Sequence, residues 1–359
     1  MRPADQDWTW DTPIGSVPRD RAMTTVRALL LIAAFALFPA SVSAQDKPEF
    51  SLSINASEDT AWGRAGKAFA STVRYQSGGR IRVTNYFDGQ LSKGQQTSEF
   101  KLLQDGVADF AIGSTINWSP QVKELNLFVL PFLFSRFSQV DAVQAGEPGA
   151  RIFKLIEQKG VVPLAWGENG FRELMNAIRP IRRPDDLQGL KIRTVGVPLL
   201  LDTFRALGAD PVSMNWDEAQ GAFRDGTVDG QENPVALILP YRLYFVHKHI
   251  TLWHYAIDPL ILAVSAKAWA RLNSEDQAIL RSAAQVVMGE QKNEVREGLD
   301  ETMTTAHVLH EVYGMEVVRP SRDELEAFRN KTRPVYAKWA GEIGAELVRS
   351  AETIVASSK

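Results

Sequence analysis

Two arginines stand where a carboxylate could be gripped. Arg193 lies in Leu190-Lys191-Ile192-Arg193-Thr194-Val195, whose alternation predicts a strand with Lys191 and Arg193 on one face, opposite Ile192. The strand runs into Val195-Gly196-Val197-Pro198, which sets Arg193 at a strand's C-terminal end, where open α/β sheets bind ligands. Arg172 closes Glu168-Asn169-Gly170-Phe171-Arg172, just past an apolar strand expected over residues 161–166. A guanidinium is planar, permanently charged and able to hold a carboxylate through two parallel hydrogen bonds. The same pattern also fits a surface arginine paired with Asp or Glu. Trp62, Trp118, Phe171 and Trp216 suit a cleft wall or a core equally.

Catalytic chemistry has no comparable footing. Glu168, Asp229 and Glu232 are acid/base groups without a nucleophile or a metal motif nearby. There is no Gly-x-Ser-x-Gly, no His-Glu-x-x-His and no Gly-x-Gly-x-x-Gly after a strand. Gly63-Arg64-Ala65-Gly66-Lys67 lacks the glycine spacing of a phosphate loop, and Ala68 stands where Ser or Thr should hold magnesium. His247 and His249 would share a strand face, with His254 close behind, and could take a metal. No carboxylate lies between them, which favours partly exposed histidines without a metal. The absence of Cys removes thiol catalysis, disulfides, iron–sulfur clusters and Cys-ligated zinc. A binding protein without cofactor or metal is expected, not an enzyme.

The elements that must position these residues are legible. The chain has 359 residues, 45% hydrophobic and 23% charged, enough for a core in about two domains. Its net charge of −3 gives no basic footprint for nucleic acid. Residues 28–44 carry no charge, follow Arg21 and Arg27, and end in Val42-Ser43-Ala44, the three-part pattern of a cleaved secretory signal. A membrane anchor is the alternative, but its span needs about 20 apolar residues and this greasy core is shorter. The polar, Pro-rich lead before Met23 leaves either Met1 or Met23 as the start. Residues 50–54, 81–84 and 108–113 are expected strands, with helices over 60–74 and 97–104 between them. Residues 190–195, a helix over 198–207, a strand over 211–214 and a helix over 217–224 repeat the scheme. Asp105-Gly106-Val107-Ala108-Asp109 and Asp225-Gly226-Thr227-Val228-Asp229 close equivalent helices, each with a glycine suited to the left-handed cap. Two similar α/β units follow, with chain crossings between them. Beyond residue 274 the chain is mostly helical, and Ser274-Glu275-Asp276-Gln277 has the form of a capping box.

Gly170-Phe171-Arg172, then Pro184-Asp185-Asp186-Leu187-Gln188-Gly189-Leu190-Lys191-Ile192-Arg193, resembles the central signature of TRAP-transporter solute-binding proteins, nearest their C4-dicarboxylate-receptor type. Asp229-Gly230-Gln231-Glu232-Asn233-Pro234 is similar to the family's Asp-Gly-Gln-Glu-Asn-Pro motif, and Gln90-Leu91 and Leu130-Pro131-Phe132 fit upstream. The resemblance implies an α/β, two-lobed, periplasmic-binding-protein-like (flytrap) fold with hinge strands and a helical C-terminal region. It implies lobe I over 45–169 and 259–298, and lobe II over 170–258 and 299–359. It further implies that Arg193 forms the main salt bridge to a ligand carboxylate and that Asn233 bonds the ligand and steadies Arg193. Arg172 matches a second basic residue, Trp216 the aromatic wall and Asn55 the first-lobe loop. Ser114 stands where sialic-acid receptors carry a glutamate, which argues against sialic acid and leaves Asn117 and Trp118 in the distal half. A C4-dicarboxylate would need a second clamp, which Arg172 could provide. An aromatic or hydroxy monocarboxylate would use Trp118 and Trp216. The expected partners are a small carboxylate and the membrane subunits of a TRAP permease in the periplasm of a Gram-negative cell. The helical tail permits a homodimer. A receptor feeding a sensor, and more remotely an organic-acid enzyme, are the alternatives.

Overall fold

The structure is a computed structural model that describes residues 49–299 and 304–358. The expected signal segment, 1–44, lies outside the described residues. Phe50, Leu52 and Ile54 alternate with serines and build β1 (Glu49–Ile54). Ala61, Trp62, Ala65, Phe69 and Val73 form the buried stripe of α1 (Ala61–Gln76). Its cap is Thr60, whose hydroxyl accepts from Gly63 N at 3.0 Å, not Ser57 or Asp59 as the sequence suggests. Gly63-Arg64-Ala65-Gly66-Lys67 is the start of this helix. The first series continues through β2 (Arg82–Tyr86), α2 (Glu99–Asp105) and β3 (Phe110–Ser114). Next come α3 (Thr115–Trp118), α4 (Phe137–Ala145), α5 (Glu147–Gln158) and the long strand β4 (Val161–Asn176).

The second series is β5 (Lys191–Thr194), α6 (Pro198–Ala206), β6 (Asp210–Ser213), α7 (Trp216–Asp225) and β7 (Gly230–Pro234). A second long strand, β8 (His249–Ser265), leads to α8 (Ala266–Trp269) and α9 (Ser274–Arg296). The chain then forms α10 (Thr304–Glu311), β9 (Glu316–Val318), α11 (Arg322–Ile343) and α12 (Ala345–Ser357). The cap of α9 is Asn273, which accepts from Asp276 N at 2.8 Å; Ser274 is already helical. The capping box of the tail sits at Ser321 and Glu324 instead. Among the described residues no helix is long and apolar enough to cross a membrane.

The sheet order is β2-β1-β3-β8-β4-β7-β5-β6, with β9 also on β8. The two outer thirds mirror each other. In each, a first strand pairs in parallel with the two strands that follow it in its series. The repeated Asp-Gly-x-x-Asp has the same role in both. Gly106 (φ 76°) and Gly226 (φ 73°) take the left-handed turn after α2 and α7. Asp109 then accepts from Ser51 N at 2.9 Å, and Asp229 from Lys191 N at 2.8 Å. Each aspartate ties the end of its series back to the first strand. β4 and β8 run antiparallel through the middle and join the two halves. Their register breaks between Glu168 and Gly170, beside Asp258. Gly170 sits there at φ 120°, a conformation glycine tolerates best.

The tail divides between the halves. Phe328 and Val335 of α11 pack with α6 and Trp253, whereas Leu347, Val348 and Ala351 of α12 pack with Ile152 and Ile156. The implied boundary gave all of 299–359 to lobe II; α12 contacts the opposite half.

The three histidines share no site. His249 meets Glu316 at 3.1 Å and His254 pairs with Glu173, while His247 is buried against Phe223 with no partner for either ring nitrogen. No metal-binding group of side chains occurs among the described residues. Burial pulls His247 down from 6.5 to about 4. The folded state therefore holds it neutral while the unfolded chain takes a proton below about 6.5. Its contribution is intact above that pH and is lost as the pH falls toward 4, by on the order of 3 kcal/mol. His247→Leu should flatten the fall in urea-unfolding stability between these pH values. An unchanged slope would assign the acid sensitivity to other groups.

Candidate functional site

The C-terminal ends of two oppositely directed pairs of parallel strands, β1 with β3 and β5 with β7, converge on one cavity, as expected of open α/β sheets. Its empty space, including the part open to solvent, is about 460 Å³. β1 delivers Asn55 and Ala56, and β3 delivers Ser114 with Asn117 on the helix that follows. β5 delivers Arg193 and Val195, and β7 delivers Asn233. The long strands add Asn169, Arg172 and Asp258, and the start of α7 adds Trp216. Seven of the eight residues expected at the site thus line it: Arg193, Arg172, Asn233, Trp216, Asn55, Ser114 and Asn117.

Trp118 does not. Its ring packs into the core against Phe100, and its Nε1 donates to Glu99 at 3.2 Å. The helix turn α3 explains this. Asn117 faces the cavity, and the next residue is rotated about 100° away, into the core. Gly113 makes room for the indole, since a Cβ there would stand 2.0 Å from the ring. Glu99, beneath Asn55, is pushed up to about 8 by burial, against the hydrogen bonds from Ser53 and Trp118. Burial thus favours its neutral form over the carboxylate.

The two arginines differ in their partners. Arg172 lies within β4, not just past a strand, because β4 extends to Asn176. Glu232 grips it, accepting from Nε and, at 2.8 Å, from Nη2. Nη2 also donates to the Glu232 carbonyl at 2.8 Å and to Asn233 Oδ1 at 3.0 Å. Tyr255 Oη donates to the same Glu232 carboxylate at 2.7 Å. Burial opposes the charge on Arg172, but Glu232 outweighs it and holds the guanidinium above its ordinary value. The fork that a second ligand carboxylate would need is occupied.

Arg193 is 1% exposed and pairs with no carboxylate among the described residues. Nε and Nη2 donate to the Met214 carbonyl at 3.0 and 2.8 Å, and Nη2 reaches Gln96 Oε1 at 3.4 Å. Burial pulls the group down to about 10; Glu232 opposes that shift and neighbouring Arg172 adds to it. A buried cation without a counterion is costly unless a ligand supplies one. Asn233 steadies Arg172 in this structure, where the resemblance assigned it to Arg193. Trp216 covers Arg193, its ring centre 5.5 Å from the guanidinium.

Three residues of consequence gave no signal in the sequence. Gln96 bridges the cavity: Oε1 accepts from Trp216 N at 2.9 Å and Nε2 donates to Asn117 Oδ1 at 2.9 Å. Tyr241 Oη accepts from Ser57 N at 2.8 Å, closing the mouth from the opposite half. Asp258, at the register break, accepts from Ser114 and Thr115 hydroxyls at 2.6 and 3.1 Å and from Asn169 Nδ2 at 2.9 Å. The imagined acid/base groups are elsewhere engaged: Glu168 by Arg296, Asp229 by Lys191 N and Glu232 by Arg172.

Comparison with known proteins agrees with this geometry. The profile of the bacterial extracellular solute-binding protein family 7 matches residues 52–342. A TRAP periplasmic solute-binding protein of Ralstonia eutropha H16, solved with bound (S)-2-acetolactate, is 44% identical, with a TM-score of 0.84 over 86% of this chain and 98% of that one. The sugar acid binding protein of Advenella mimigardefordensis, in complex with galactonate, is 27% identical, with a TM-score of 0.81 over 87% and 99% of the two chains. A solute-binding protein of Verminephrobacter eiseniae is 30% identical, over 84% of this chain and 88% of its own length. A strand-end cavity with a buried, unpaired arginine therefore sits in a chain that belongs to the bacterial extracellular solute-binding proteins of family 7, the periplasmic receptors of TRAP transporters.

Proposed function

We propose that this receptor binds a small organic acid by its carboxylate on Arg193 and hands it to the membrane subunits of a TRAP permease. The observation that carries this reading is the buried Arg193 guanidinium, which faces the cavity without a countercharge. A ligand carboxylate would supply that charge and would accept from Nη1, the guanidinium nitrogen left without a partner among the described residues. The relatives support the class: (S)-2-acetolactate, galactonate and, in a 30% identical receptor of Polaromonas, D-erythronate all present a carboxylate. Asn55, Ser114, Asn117, Asn233 and Trp216 would then contact the rest of the molecule.

Closure couples binding to delivery. The lobes are residues 45–169 with 259–298, and 170–258 with the segment from 299 on, α12 resting on the first. The register break at Gly170 and Asp258 supports a hinge there. Ligand favours the closed form by its greater affinity for that form. Export through a cleaved signal in 1–44 would deliver the receptor to the periplasm.

A thermal-shift panel of organic acids tests the reading. A ligand at 100 times its dissociation constant stabilises by about 2.7 kcal/mol, a clear rise in melting temperature. A flat panel on folded protein free of bound acid would sink it.

A further inference from the structure

Among the described residues, two arginines and one acidic side chain face the cavity: Arg172, Arg193 and Asp258. Arg172 is already matched by Glu232, bidentately and in the protein interior. Asp258 is surrounded by donors only: the Ser114 and Thr115 hydroxyls, Ile116 N, Asn169 Nδ2 and Arg172 Nη1. Each of these neighbours therefore donates to it and none accepts. Among the described residues of the lining, Arg193 is the cation that remains for a ligand.

The wall beyond Arg193 is neutral. Asn55, Gln96 and Asn117 offer amides, and Trp62 and Tyr241 offer ring surface. Among the described residues no lysine, histidine or third arginine lines the cavity. Amides satisfy hydroxyl and oxo oxygens well, but they cannot neutralise a carboxylate.

We infer that this receptor takes a small monocarboxylate bearing hydroxy or oxo groups and rejects dicarboxylates of the same size. A second carboxylate would be closed into a cavity with no cation to meet it and with Asp258 already present. Specificity arises from this mismatch as much as from the fit of the accepted ligand. The inference rests on the carboxylate reading of Arg193 and narrows it. It favours the monocarboxylate alternative over a C4-dicarboxylate clamped by Arg172.

The test is isothermal titration of the purified receptor with matched acids. 2-Hydroxy-2-methyl-3-oxobutanoate is paired with 2-methylmalate, erythronate with tartrate, and galactonate with galactarate. Each pair sets a neutral end group against a carboxylate. At least one monocarboxylate should bind, and its mate should bind roughly 100-fold or more weakly at about pH 7.5. Lowering the pH to about 5.5 protonates a growing share of the dicarboxylate and should narrow that gap several-fold. A dicarboxylate that binds as tightly as its mate overturns the inference and leaves the carboxylate receptor standing. A gap that ignores pH overturns the charge argument in favour of shape. If no acid binds and none copurifies, the carboxylate reading itself falls.

Discussion

Arg193→Ala should abolish tight binding of the acid while leaving the unliganded protein folded. The ligand carboxylate would lose the one cation that the described residues leave for it in the cavity. Truncating one side of a buried, hydrogen-bonded ion pair costs on the order of 3 kcal/mol, a loss of more than about 100-fold in affinity. The effect on the fold has the opposite character. Arg193 makes its hydrogen bonds to a backbone carbonyl and to Gln96 and forms no ion pair among the described residues. Removing it strands no carboxylate, so the unliganded melting temperature should hold. Arg193→Lys keeps the charge but loses the planar fork, and should recover only part of the affinity. Titration of the three proteins with one acid decides the point; equal dissociation constants would remove Arg193 from the site.

The fold and half of the site's logic were legible from local pattern. The serine-alternating strand at Phe50–Ile54, the paired Asp-Gly-x-x-Asp turns and the strand around Arg193 all announce themselves within a few residues. Strand ends converge by topology, so Asn55, Ser114, Arg193 and Asn233 meet once the order of the strands is known. What stayed hidden depends on pairing between distant elements. Glu232 and Arg172 are 60 residues apart, and only the β4–β7 register brings them together. Asp258 sits in an apolar run of β8 and becomes a hub because the β4–β8 register breaks beside it and β3 ends next to it. Gln96 lies before α2 with no periodicity to mark it. Trp118 misled for the converse reason: its type suits a ligand wall, but one step along a helical turn reverses its direction.

Arg172→Ala should behave as a folding mutation, unlike its neighbour. The change leaves Glu232, which is 0% exposed, without the cation that neutralises it. Tyr255 Oη would still donate to it, but one neutral donor does not compensate a buried charge. Breaking such a pair from one side costs about 3–5 kcal/mol. Urea unfolding should show that loss at neutral pH with an unchanged m-value. Changing both partners should recover much of it: Arg172→Met with Glu232→Gln removes both charges and keeps an acceptor for Tyr255. The coupling energy of that cycle isolates the ion pair from the packing lost with each side chain. The family resemblance matches Arg172 to a second basic residue at the ligand. If Arg172→Ala stayed as stable as the parent and lost only affinity, that assignment would be right and Glu232 would not be the partner that matters. A large loss of stability instead fixes Arg172 as a support of the cavity and leaves Arg193 as the guanidinium free to take an anion.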